Sequence, residues 1–170
     1  MTRKMLVVTL AATKAVLAAA TRRASGVPAV EDLVGDGLIA RVGGSEESLL
    51  VPAAELEVKE VDHSDEVFRT PRAHVVDDSG TIVVSPNVVS AIVAAGLAVT
   101  VTLAPPAPAG DKNVVLVIDA GANADPLKFV GKTVLNSPTA VIPVSGVPPG
   151  AHLVLASVDG YNARLEVESF

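Results

Sequence analysis

"GVPPGAHLVLASVDGYNARLEV", running from Gly146 to Val167, has the form of two strands around a turn, yet nearly every strand position is apolar. An antiparallel hairpin with one solvated face alternates apolar and polar residues. Here His152, Val154, Ala156 and Val158 fall on one face, while Leu153, Leu155 and Ser157 fall on the other. One core cannot take both sets. "NVVLVID" (113–119) repeats the conflict, with Val115 and Val117 opposing Val114, Leu116 and Ile118. Fully burying one Val or Leu is worth roughly 1.5–3 kcal/mol, and several exposed side by side make a patch that monomers rarely carry. The second face must therefore be covered, either by the N-terminal half of the chain or by a neighbouring copy.

The rest of the composition narrows what such a chain can do. Its 170 residues fit one domain or two small ones, and a single unit of that size buries roughly 70% of its unfolded surface. Hydrophobic residues make up 49% but aromatic ones only 2%, with no Trp and one Tyr. Stacking platforms for bases are therefore scarce. A net charge of −6 also argues against a nucleic-acid partner, since neutralising phosphates takes a Lys/Arg excess. Cysteine is absent, which removes disulfides, thiolate metal sites and cysteine nucleophiles together.

Charge is segregated along the chain. The five bases before Glu31 (Arg3, Lys4, Lys14, Arg22 and Arg23) stand in a stretch with no acid, whereas Glu31 to Asp78 holds thirteen acids against four bases. A basic arm followed by an acidic body permits head-to-tail contacts between copies; solvated faces are the plainer reading. The first 26 residues also have the outline of a signal peptide, with a basic start, an apolar stretch and Ala18–Ala20 as a cleavage-like site. Lys14 interrupts the apolar run and Arg22–Arg23 follow it, so a retained, ordered arm is expected. The runs on either side of Lys14 are too short to span a bilayer, and no membrane partner is expected.

For local structure, "KMLVVTL" reads as a strand or a helix lead-in. The Ala-rich stretch of about 10–25 reads as a helix, stopped by Gly26 and Pro28. "DGLIARVGGSEESLLVPAAELEV" suggests two strands around Gly43–Gly44, and "RAHVVDDSGTIVVS" a hairpin turning at Asp77–Gly80. "SPNVVSAIVAAG" suggests a short helix with Ser85 as N-cap and Pro86 at its first position, although its valines also suit a strand. "APPAPAG" (104–110) is a stiff connector, either between domains or at a bulge.

From Leu97 onward the order of features resembles the bacterial immunoglobulin-like domains of surface proteins and of tailed-phage virion proteins. "LAVTVTL" breaks at "APPAPAGD" and resumes as "NVVLVIDA"; a Pro149–Gly150 turn then leads a strand ending at Asp159–Gly160, and "ARLEVES" closes. The resemblance covers about 74 residues, and the buried Trp and paired Cys of antibody domains are missing. It implies a fold and not an activity. The expected architecture is mainly β with one or two short helices: an N-terminal α+β assembly region with a helical arm (1–96) and an immunoglobulin-like sandwich (97–170).

No residue constellation identifies a reaction. "DHSDE" (62–66) groups one imidazole with three carboxylates but lacks further metal ligands nearby, only His74 and His152 remaining. "DAGANAD" (119–125) puts Gly121 and Ala124 where a calcium loop needs a ligand and a glycine. "FVGKT" lacks the first glycine of a phosphate loop, Pro126 standing there. No Ser lies in a nucleophile elbow. An enzyme would need His63, His74 or His152 beside a carboxylate in a cleft.

The expectation is thus a non-enzymatic structural protein acting by assembly, with no catalytic, cofactor or metal residues and no small-molecule substrate. Its partners are copies of itself or a larger protein lattice. The expected interface residues are Arg3, Lys4, Lys14, Arg22, Arg23, Leu153 and Leu155. The phage resemblance implies a virion location, as a capsid decoration, tail or neck subunit; the surface-protein side of it implies a cell-surface or periplasmic binding module.

Overall fold

The computed structural model describes residues 3–22, 26–43, 47–121 and 124–170. They form a mainly β structure with two five-residue α-helices, as the composition and turn pattern predict. In chain order the first half contributes β1 (Lys4–Leu10), β2 (Val16–Thr21), α1 (Val30–Val34), β3 (Gly37–Arg41), β4 (Ser48–Pro52), β5 (Leu56–Asp62), α2 (Asp65–Arg69), β6 (His74–Val76) and β7 (Ile82–Val84). The second half is all strand: β8 (Val89–Ala95), β9 (Ala98–Leu103), β10 (Asn113–Ile118), β11 (Leu127–Lys132), β12 (Thr139–Pro143), β13 (Ala151–Val158) and β14 (Arg164–Ser169).

β8 to β14 make two antiparallel sheets, ordered β12-β9-β8 and β11-β10-β13-β14. They share a core in which Val89, Ile92, Val99, Val101 and Leu103 meet Val114, Leu116, Ile118, Val154, Ala156 and Val158. "APPAPAG" carries the chain from β9 in one sheet to β10 in the other. The three-stranded sheet also takes in β8, ahead of residue 97.

The doubly apolar strands find their second cover within the chain. Val115, Val117, Leu153 and Leu155 lie in a separate buried cluster with Val8, Leu10, Ala15, Leu17, Leu49, Val51 and Leu56. Leu153 is 0% exposed and Leu155 1%. Of the two covers the sequence left open, the N-terminal half is the one observed. Ser157, the polar member of that face, meets the Thr13 hydroxyl at 2.7 Å, both buried. Since an unpaired buried hydroxyl is costly, this contact satisfies both groups where the two layers meet.

The covering layer is itself a sheet, β2-β1-β5, with β1 central. Alternation along β1 sends Val8 and Leu10 toward the sandwich, and Met5 and Val7 into a third cluster with Val16, Val61, Val67 and Val76. β1 is thus buried on both faces, like β10 and β13. α2 and the β6–β7 hairpin supply the outermost cover.

Two stretches expected to be helical are strands. The Ala-rich segment folds as the end of β1, a turn in which Lys14 adopts φ 58°, and β2. Helix propensity is a weak local preference. Here it yields to a ladder with β1, while Ala18 and Ala19 leave room for the cores on the two sides. "SPNVVSAIVAAG" holds β8, joined to β9 by a two-residue Gly96–Leu97 loop. Gly96 has φ 60°, the positive value that the first position of a type II′ turn requires. Ser85 caps no helix; its hydroxyl donates to the Asn87 carbonyl. The observed helices lie instead in acidic segments, and Ser64 caps α2 by accepting from the Val67 N–H at 3.5 Å.

Leu155→Ala should lower stability by about 2–5 kcal/mol, measured by urea unfolding, because both neighbouring layers resist collapse into the space. Thr13→Val should cost about 1–3 kcal/mol by stranding the Ser157 hydroxyl, and Thr13→Val/Ser157→Ala should recover part of that loss.

Candidate interaction surface

Most of the basic arm is neutralised inside the chain. Because β1 pairs with β5, the basic segment lies beside the acidic one. Lys4 Nζ sits 2.7 Å from Asp62, Lys14 Nζ 2.6 Å from Asp78, and Arg22 Nη1 2.8 Å from Glu60. Pairing with Asp78, through a hydrogen bond first and charge second, raises the Lys14 pKa above 10.5 and lowers that of Asp78 below 3.8. Arg3 is exposed at the start of β1, and its carbonyl accepts from the His63 N–H. Arg23 lies outside the described residues. Leu153 and Leu155 are buried between layers, so neither offers surface to a partner in this fold.

The three histidines serve separate local contacts. His152 Nε2 meets the Pro148 carbonyl at 2.8 Å, its ring against Phe170. His74 Nδ1 meets the Thr70 carbonyl at 2.9 Å. His63 stands 3.7 Å from Asp65 and tilts against Phe68. His63 and His74 do share an open cavity of about 450 Å³ with Glu60, Asp62 and Glu66. Its polar groups are engaged, however: Asp62 and Glu60 with cations and Ser64 as the helix cap. Among the described residues no three His, Asp or Glu side chains are grouped to hold a metal ion. In the loop from Asp119, the carboxylate accepts from the Gly121 N–H at 3.1 Å.

The surface that stands out is the outer face of the β12-β9-β8 sheet. Register places Ala91, Thr102 and Thr139 in one row, Val93, Thr100 and Val141 in the next, and Ala95, Ala98 and Pro143 in the third. None of the nine is charged, and Val93 and Val141 at the centre are 52% and 60% exposed. Leu97, 79% exposed, extends the apolar character at the β8–β9 turn. The sequence does contain the signal: residues 79–110 hold no charged side chain, and residues 133–158 hold no Asp, Glu, Lys or Arg. These two runs supply all three strands.

The β8 edge of this sheet is closed by side chains from the opposite sheet. Along β14 and the residue pair before it, alternate positions point at β8. Asn162 Oδ1 accepts from the Val89 N–H, Glu166 from the Ile92 N–H and Glu168 from the Ala94 N–H, each at 2.9 Å. Arg164 donates to the Val89 carbonyl and also pairs with Glu166. Backbone groups that would otherwise template another strand are thereby satisfied. The other edge, β12, ends in Pro143, which has no N–H to offer. The sheet therefore discourages strand addition at its edges and presents its face.

The family described as a domain of unknown function (DUF8756) matches residues 80–169, 90 of the 170 residues, and the chain belongs to it. The match opens in the β6–β7 turn and takes in all seven strands of the sandwich. No curated protein and no solved structure matches the chain.

The Arg164 hydrogen bond, chiefly, holds the Glu166 carboxyl below its ordinary 4.5. Since the folded pKa is the depressed one, Glu166 contributes fully to stability above pH 4.5, and this contribution is lost as pH falls through the lower folded value. The stability gap between wild type and Glu166→Gln, followed by urea unfolding, should stay constant above that pH and narrow below it.

Proposed function

We propose that this protein is a non-enzymatic structural component that works by assembly with copies of itself or with a larger protein lattice. The observation that carries the reading is the charge-free outer face of the β12-β9-β8 sheet. Solvated sheet faces ordinarily carry polar and charged side chains at alternate positions, and β11 of this same sandwich does so with Lys128 and Lys132. A second sheet could pack there at about 10 Å, as sheets pack within sandwiches.

We also read the sandwich as immunoglobulin-like. Seven antiparallel strands in sheets of three and four, with β10 and β13 as central neighbours, support this. The arrangement departs from the constant-type order by placing its fourth strand, β11, beside β10 and not in the first sheet. Within that reading, the resemblance to tailed-phage proteins favours a virion component such as a capsid decoration, tail or neck subunit.

The test is light scattering after size exclusion on wild type and Thr100→Lys, across a concentration series. Thr100 lies at the centre of the face, between Val93 and Val141. Wild type should self-associate with rising concentration, and Thr100→Lys should remain monomeric with an unchanged unfolding midpoint. Equal association of the two proteins, or a wild type that stays monomeric up to its solubility limit, would sink this use of the face.

A further inference from the structure

Between Glu31 and Asp78 the chain has four bases among thirteen acids. One of them, Lys59, pairs with Glu57 at 3.4 Å. The other three, Arg41, Arg69 and Arg72, all line one open cavity of about 490 Å³. They come from different elements: Arg41 ends β3, Arg69 ends α2, and Arg72 lies in the 3-10 turn Pro71–Ala73. Among the described residues no acidic side chain lines the cavity and none of the three arginines forms an ion pair. The apolar wall open to a ligand is Leu38, half-buried, and Ile39, 59% exposed, whereas Leu17 and Leu155 are buried.

Gathering three like charges without a counter-charge is unfavourable in an isolated chain, and it is doubly unexpected in one of net charge −6. Elsewhere in this molecule three bases of the N-terminal arm, Lys4, Lys14 and Arg22, are matched to acids. Guanidinium groups converging on a concave surface are the usual means of recognising acidic motifs. The volume falls within the range of ligand pockets. What lines the cavity limits the anion further. No aromatic ring lines it on which a base could stack, and a chain of net charge −6 disfavours an extended polyanion such as nucleic acid. Leu38 and Ile39 call for an aliphatic group between the carboxylates.

We propose that this cavity binds an acidic peptide segment of a partner protein, with an aliphatic side chain against Leu38 and Ile39 and carboxylates on Arg41, Arg69 and Arg72. The proposal takes from the assembly reading only that the partner is a protein; the cavity is distinct from the uncharged sheet face and is tested separately.

The experiment is fluorescence anisotropy with the full-length protein and a fluorescein-labelled peptide of alternating glutamate and leucine. Binding should be saturable and should weaken with added salt. Arg41→Gln/Arg69→Gln/Arg72→Gln should weaken it by roughly tenfold or more, as should replacing the peptide's leucines by serines. Arg41 and Arg69 are exposed, so Arg41→Gln/Arg69→Gln provides a variant expected to keep the wild-type unfolding midpoint and still lose affinity. Thr100→Lys should bind the peptide as wild type does, which separates loss of the sheet contact from loss of this site. The proposal is overturned by absence of saturable binding, by arginine variants that bind unchanged, or by equal affinity for the leucine-free peptide, which would mark a general anion surface.

Discussion

Everything in this fold depends on burying both faces of the β10–β13 pair. With Val114, Leu116, Val154 and Ala156 on one side and Val115, Val117, Leu153 and Leu155 on the other, these strands are stable only as an inner layer. The sandwich supplies one cover and the β2-β1-β5 sheet, with β3 and β4, supplies the other. β1 then meets the same demand a layer further out, and α2 with the β6–β7 hairpin meets it in turn. The chain reads as a stack in which each doubly apolar strand requires the next layer. The Thr13–Ser157 contact adds direction to this stack, because a hydroxyl pair in an apolar seam is satisfied in one alignment of the two layers.

This arrangement also explains why the basic and acidic segments are separated in sequence. Pairing of β1 with β5 brings Lys4 to Asp62, and the turn after β1 brings Lys14 to Asp78. A pattern that permits contacts between copies is here satisfied within one copy. The charges left without partners are then the informative ones, and the strands left without charges are informative in the same way. The molecule spends side-chain hydrogen bonds from Asn162, Glu166 and Glu168 to close one sheet edge, yet leaves the adjoining face bare of charge.

How much of this was legible in the sequence follows from the range of each interaction. The β13–β14 hairpin was readable because period-two alternation is local: the inner set Val154, Ala156, Val158 and the outer set Leu153, Leu155, Ser157 fall where the alternation puts them. The Ala-rich segment misled because alanine's helix preference is also local, while its strand state is imposed by β1 and β5. In 85–96, Ser and Pro imitate a helix start, and only the pairing across Gly96–Leu97 shows otherwise. The uncharged face was visible as two charge-free runs, but its nine-residue grid depends on the register of three strands. Arg41, Arg69 and Arg72 could not be grouped from sequence at all, since three elements bring them to one cavity.

The family match begins at residue 80, whereas the first-half residues that pack with Leu153 and Leu155, from Val8 to Leu56, lie well before it. The matched unit is therefore smaller than the physically closed one. Excised at its family boundary, this sandwich would carry an oily back, and the first eighty residues act for it as a built-in lid. Any relative that keeps the same two-sided strands inherits a debt along with the fold, and the identity of its lid becomes a property by which members of the family can diverge.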